Sequence, residues 1–208
     1  SSALVIDTPD GRVLHSGDFK IDTDPGVGEP FDHEMFKDIA KNGIKALVCD
    51  STNVFSMHAG RSEATLKSSI AELIAQAPAM VVATTFASNV ARLRTLAEAA
   101  TSSGRSICLM GRAMRKMVQA ALETGVLDDF PTVVSPDEAQ EIPRQNLMLL
   151  CTGSQGERRA ATAQLANGKF QGISLKEGDT VLFSSSTIPG NERDVIRIMN
   201  LFSEQGVD

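Results

Sequence analysis

Histidine is nearly missing from this chain: its 208 residues hold only His15, His33 and His58. No two of them have the spacing that turns paired rings toward one metal, so a self-contained histidine metal centre is excluded. Cysteine is as scarce. Cys49, Cys108 and Cys151 include no Cys-x-x-Cys pair, which excludes a zinc ribbon and a thioredoxin-type redox motif. Each lies in or at the end of an apolar run, and each reads as a buried small hydrophobe in a reducing cytosol. No apolar run approaches the length of a membrane span, and no signal-peptide pattern opens the chain. The expectation is a cytoplasmic protein with no membrane partner. Gly-x-Gly-x-x-Gly and the P-loop Gly-Lys-Ser/Thr are both missing, which weighs against a dehydrogenase or a nucleotide-dependent transferase. Positive charge is not in excess either: the net charge is −6. That argues against a general basic coat for nucleic acid and leaves room for a local basic groove. Arg92, Arg94, Arg105, Arg112, Arg115 and Lys116 crowd one region, although Arg94 and Arg115 read as solvated helix faces.

What is present is an ordinary globular composition, 42% apolar and 22% charged, enough for one large or two small domains. The chain opens without Met, directly on an apolar run, Ala3 to Asp7, as an excised fragment would. Thr8-Pro9-Asp10-Gly11-Arg12 joins that run to Val13–Ser16, and Asp-Gly between apolar runs predicts a hairpin. Asp32 caps a predicted helix that Gly43 stops. Ile44 to Cys49 is the next strand. Beyond the polar stretch from Asn53 to Arg61, helix and strand alternate. Strands are expected at 80–84, 106–110, 147–151 and 180–183. Helices are expected at 62–76, 87–102, 113–124, 157–167 and 191–205, with a helical turn at 136–140. Short apolar strands alternating with helices predict an α/β fold, a doubly wound and mainly parallel sheet covered on both faces.

Two strand ends carry carboxylates: Asp18 in Leu14-His15-Ser16-Gly17-Asp18-Phe19-Lys20 and Asp50 in Leu47-Val48-Cys49-Asp50-Ser51-Thr52-Asn53. An aspartate at the carboxyl end of a strand can bind a metal, orient a base or cap the next turn. From spacing alone the cap is the simpler reading. Four later strand ends carry small polar residues: Thr85-Phe86-Ala87-Ser88-Asn89, Gly111-Arg112, Cys151-Thr152-Gly153-Ser154-Gln155-Gly156-Glu157 and Ser184-Ser185-Ser186-Thr187-Ile188-Pro189-Gly190-Asn191-Glu192. Amides at a helix start, with Ser and Asn side chains and Arg92 one turn on, suit an anion. Phe86 suits either a stacked base or the core. If the strands are parallel, all four loops line one edge.

Together, in this order, these six blocks resemble the metallo-β-lactamase-fold nucleases with a β-CASP insertion, specifically the ribonuclease J group. The resemblance spans nearly the whole chain. It implies that residues 1–56 are a late piece of an incomplete metallo-β-lactamase-like domain and 57–208 most of the β-CASP domain. It implies a ribonuclease that hydrolyses single-stranded RNA with two zinc ions, as an endonuclease, a 5′-to-3′ exonuclease or both, with a homo-oligomer possible. Asp18 would bridge the metals and Asp50 would orient a ligand or manage a proton. Phe86, Ser88, Asn89, Arg92, Arg112, Ser154 and Ser185 would contact substrate, with a 5′-monophosphate pocket sought near Ser88, Asn89 and Arg92. The family's His-x-His-x-Asp-His block and its later histidine motifs are not in this sequence, so the fragment alone is expected to hold no zinc and cut nothing. His15 reads as a packing residue, and His58 as a surface residue or an RNA contact. The family's Pro after Gly-Glu is Arg158 here, followed by Arg159, and its Pro after the triple serine is Thr187. The alternative reading is a non-catalytic nucleotide- or RNA-binding α/β module. The residues do not separate RNA from DNA.

Overall fold

A computed structural model describes residues 2–57 and 60–208; His58 lies outside the described residues. The chain divides into two compact units, 1–65 and 66–208.

In the first unit, β1 (Leu4–Thr8) and β2 (Gly11–His15) form the predicted hairpin, and β3 (Ala46–Val48) pairs with β2 in parallel, Leu14 opposite Leu47. Helix α1 (His33–Ala40) starts where Asp32 accepts the amide of Met35 at 2.9 Å. Leu4, Val5, Ile6, Leu47 and Val48 are all at least 40% exposed. Successive strand residues face opposite sides, so β1 leaves apolar surface uncovered on both faces. Cys49 is exposed rather than buried, because this short sheet has no layer over that edge among the described residues. Its thiol donates to Asp50 O at 3.3 Å.

A 3-10 turn, Glu63–Leu66, leads into α2 (Lys67–Gln76) of the second unit. There follow β4 (Val81–Thr84), α3 (Val90–Ser102), β5 (Ser106–Met110), α4 (Arg112–Glu123), β6 (Val133–Val134), α5 (Pro136–Glu141), β7 (Leu147–Cys151), α6 (Ala161–Ala166), β8 (Thr180–Phe183) and α7 (Glu192–Glu204). The five strands form one parallel sheet in the order β6-β5-β7-β4-β8. Alternation along the strands splits the core in two. Val82, Cys108, Leu149 and Cys151 pack with α5, α6 and α7. Val81, Ala83, Leu109 and Leu150 pack with α2, α3 and α4. Each fully buried valine or leucine among them contributes roughly 1.5–3 kcal/mol, which is why strands with no polar face form here at all.

One buried ion pair closes the amino edge of this sheet. Asp179 is fully buried and accepts from the Arg144 guanidinium, from Met80 N at 3.2 Å and from Lys176 N at 2.8 Å. The partners satisfy a carboxylate that would otherwise be costly to bury.

Three predicted helices differ at their starts by more than one residue. The 3-10 turn at Glu63–Leu66 delays α2 to Lys67 from the expected 62. Asn89 accepts the amide of Arg92 at 3.1 Å, so α3 begins at Val90 and not Ala87. Residues 157–160 form a turn closed by Ala160 N donating to Glu157 O at 3.0 Å, so α6 is only six residues long. The expected helix start after Glu157 is therefore not there. Strand β6 is two residues long, too short for periodicity to reveal.

Candidate functional site

Parallel pairing makes β2 and β3 end together. Ser16 N donates to Val48 O at 2.9 Å, and Asp50 N donates to Ser16 Oγ at 3.0 Å. Gly17 takes a left-handed φ of 61°, its amide donating to His15 Nδ1 at 3.0 Å. A Cβ there would lie 2.9 Å from Ser2 O, so the turn requires glycine. His15 is exposed; it shapes this turn instead of packing in a core. The turn delivers Asp18, which is exposed and makes no hydrogen bond or ion pair among the described residues. Asp50 is tied down. Its Oδ1 accepts the Thr52 hydroxyl at 2.7 Å and the Thr52 amide at 2.9 Å. Those bonds, the hydroxyl first, hold its carboxyl below the usual carboxylate range, with smaller help from the Phe19 and Ser51 amides. Since Phe19 follows Asp18 directly, both aspartates belong to one knot of backbone.

That knot offers one free carboxylate and one held ionised. Both are hard oxygen donors of the kind a divalent cation accepts. No group of three His, Cys, Asp or Glu side chains able to hold a metal occurs among the described residues, so the two aspartates fit as part of a ligand set and not as a whole one.

In the second unit four strands end level, with Thr84, Met110 and Phe183 in one row with Cys151. Register thus brings the four polar loops to one rim, the crevice edge of an open α/β sheet. The predicted residues divide there. Ser88 is exposed, and Arg112 is exposed at the start of α4. Phe86 is half-buried and belongs to neither core cluster, whereas Phe130, Phe170, Phe183 and Phe202 all do. Asn89 is spent on the α3 cap. Arg92 Nη1 donates at 2.8 Å to both the carbonyl and the hydroxyl of Ser184, tying α3 to the end of β8. Ser154 is only 3% exposed and its hydroxyl is a buried atom with no partner, as is that of Ser185. Ser154 and Ser185, which the resemblance assigns to substrate, are thus set into the rim rather than standing out from it. Gly153 and Gly156, at φ 110° and 81°, turn the chain back on itself, with Gly156 N donating to Gly153 O at 3.2 Å, and the residues between them are folded in.

Gln155 was assigned no role by its sequence position. It is buried, accepts Ile188 N at 2.7 Å and donates to Ser186 O at 3.0 Å. It clasps the loop after β8 to the loop after β7. An amide between two glycines was the only signal, and only the pairing of these distant loops gives it meaning.

Cys108 and Cys151 lie in the core, where burial pushes the Cys108 thiol up to about 11 and the Cys151 thiol further up. Neither is a nucleophile at neutral pH.

Residues 79–202 match the family model described as the β-CASP domain of ribonuclease J. The chain is 43% identical over 205 residues to the Ribonuclease J of Sinorhizobium meliloti, covering 99% of this chain and 36% of that protein. It is 39% identical to the Ribonuclease J 1 of Streptococcus pyogenes, covering 99% of this chain and 37% of that protein. It is 35% identical to the Ribonuclease J of Thermus thermophilus, covering 96% of this chain and 35% of that protein. The chain thus spans about a third of the length of these curated relatives. A parallel sheet with its polar loops gathered on one rim, matched by that model through most of the second unit, places the chain in the ribonuclease J family, as a segment that carries the β-CASP domain.

Proposed function

We propose that this chain is part of a zinc-dependent ribonuclease that hydrolyses the phosphodiester bonds of single-stranded RNA, as an endonuclease, a 5′-to-3′ exonuclease or both. Residues 1–56 are read as a piece of a metallo-β-lactamase-like domain and 57–208 as the β-CASP domain. The uncovered apolar faces of β1 and β3 support the first assignment, since a sheet buries such faces against another layer.

The observation that carries the reading is the pair of joined strand tips, one aspartate unengaged and its neighbour held ionised by Thr52. Asp18 suits a bridging ligand, with the remaining donors supplied by parts of the longer protein outside this sequence. Two bound zinc ions would acidify a water and stabilise charge on the phosphate. Asp50 keeps its negative charge at neutral pH and accepts protons or hydrogen bonds beside that centre. On the rim of the second unit, Phe86 presents a ring to a base, while Ser88 and Arg112 face the phosphate chain. Arg92 and Asn89 act mainly by fixing the loops around them.

The test is Asp18→Ala in the longer protein, with cleavage and RNA binding measured side by side. Loss of cleavage with binding kept within a few-fold is expected. Retained cleavage would sink the assignment of Asp18.

A further inference from the structure

Three close approaches gather arginines around the turn Glu157–Ala160. Gly111 lies against Thr152 and Ala161, a Cβ on it falling 3.0 Å from Thr152 Oγ1 and 3.9 Å from Ala161 Cβ. That brings Arg112, the next residue, to the β7 loop. Gly153 lies so close to Ala160 that a Cβ would be 2.6 Å from the alanine Cβ, which seats the turn bearing Arg158 and Arg159 on the same loop. Gly156 lies against the backbone of Asp194, where a Cβ would be 2.5 Å from its carbonyl carbon. That sets Arg193 beside the turn, and Arg197 Nη2 donates to Gly156 O at 3.4 Å.

The turn is rigidly framed. Glu157 accepts Gln155 N at 3.0 Å, and Gln164 donates to Arg159 O at 3.1 Å. Arg112, Arg158, Arg159 and Arg193 are exposed, and none has an ion pair among the described residues. Arg197 alone has a carboxylate, Asp194 at 3.6 Å. Glu157 and Asp194 lie among the five arginines, so positive charge is in excess there rather than unopposed. Like charges held together repel one another, and in a chain of net charge −6 the arrangement is informative.

We infer that this arginine cluster binds successive phosphates of single-stranded RNA, with Arg158 and Arg159 adding affinity to the site. The inference rests on the ribonuclease reading above. A guanidinium fork matches phosphate oxygens in pairs. The cations come from the segments that follow β5, β7 and β8, in a sheet ordered β6-β5-β7-β4-β8 whose neighbouring strands are about 4.8 Å apart, so they are spread along the rim as a linear polyanion requires. Phe86 stands at the end of β4 on the same rim with its ring outside the core. Cations in line with an open aromatic ring mark single-stranded nucleic acid; an acidic peptide would have no use for the ring.

The experiment is a titration of the longer protein with a short single-stranded RNA, followed by fluorescence anisotropy over a range of salt, with a chelator holding cleavage off during binding and cleavage of the wild type measured separately with metal present. Arg158→Gln with Arg159→Gln should weaken binding on the order of tenfold at low salt. The slope of log K against log salt should become shallower by about 1.4, since each single-strand phosphate contact contributes roughly 0.7. Arg158→Lys with Arg159→Lys should restore most of the slope. Lys176→Gln removes a charge at the opposite, amino edge of the sheet and should change neither quantity. A wild-type slope in the double glutamine variant would overturn the inference, as would an equal loss in Lys176→Gln. If the wild type still binds and cleaves RNA in that event, only the arginine assignment falls. If the wild type neither binds nor cleaves RNA, the ribonuclease reading falls with it.

Discussion

The amide of Asp50 donates to the hydroxyl oxygen of Ser16 at 3.0 Å, so the ends of β2 and β3 are one piece. Anything that loosens this bond moves Asp18 and Asp50 relative to each other. Ser16→Ala should therefore reduce RNA cleavage by the longer protein, with little effect on RNA affinity. Asp50→Asn keeps the shape but removes the charge, and a cost of about 10–100-fold in turnover is expected for a residue that orients a metal site. Single-turnover cleavage rates check both; unchanged rates would remove Asp50 from the site.

Gln155 should matter through the loop it holds. Gln155→Ala leaves Ile188 N and Ser186 O without their buried partner, at a cost of about 1–3 kcal/mol. Thermal unfolding should show a lower midpoint. Gly156→Ala should do the same by another route, because its φ of 81° is left-handed and its Cβ would meet the Asp194 backbone. A loss of more than about 1 kcal/mol is expected. An unchanged midpoint in both variants would mean that the two loops are not coupled.

Acid should weaken the first unit through Asp22. Its carboxyl is held down to about 2, chiefly by the Ser62 hydroxyl and then by the Asp24 amide, with Lys20 as a smaller contributor. The unfolded carboxyl titrates near 3.9. The stabilisation is therefore complete above that value and is lost as pH falls toward the folded value. Asp50 carries the same sign. Asp22→Asn should flatten the acid limb of a stability–pH curve; an unaltered limb would contradict the assignment.

Thiol titration should separate the three cysteines. Cys49 is exposed and should react at once with a thiol reagent, while Cys108 and Cys151 are buried with raised pKa values. They should react only on unfolding. Prompt reaction of all three thiols would show that the core of the second unit is open.

Much of the second unit could be read directly from the chain. Leu147–Cys151 and Ser106–Met110 are strands because they are short, apolar and bounded by turn residues, signals that act within a few residues of their own position. The Asp10-Gly11 hairpin and the Asp32 cap are local in the same sense. What differed depended on contacts distant in the chain. The helix expected from Glu157 is displaced by a turn because Glu157 caps Gln155 N and the loop is drawn toward α7. Cys49 looked buried because apolar runs usually find a second layer. Ser154 is buried where Gly156 packs on Asp194, a depth that its place between two glycines does not announce.

The chain's own letters determined the alternation of strands and helices, the positions of Asp18 and Asp50 at strand ends, and the family to which they point, because periodicity and turn chemistry are short-range. Tertiary structure decided which side chains are free to act. Parallel register brought four strand ends to one rim, glycines allowed the backbone contacts that collect Arg112, Arg158, Arg159 and Arg193, and Ser184 engaged Arg92. Those pairings join residues up to about a hundred positions apart, and no local pattern encodes a partner at that distance.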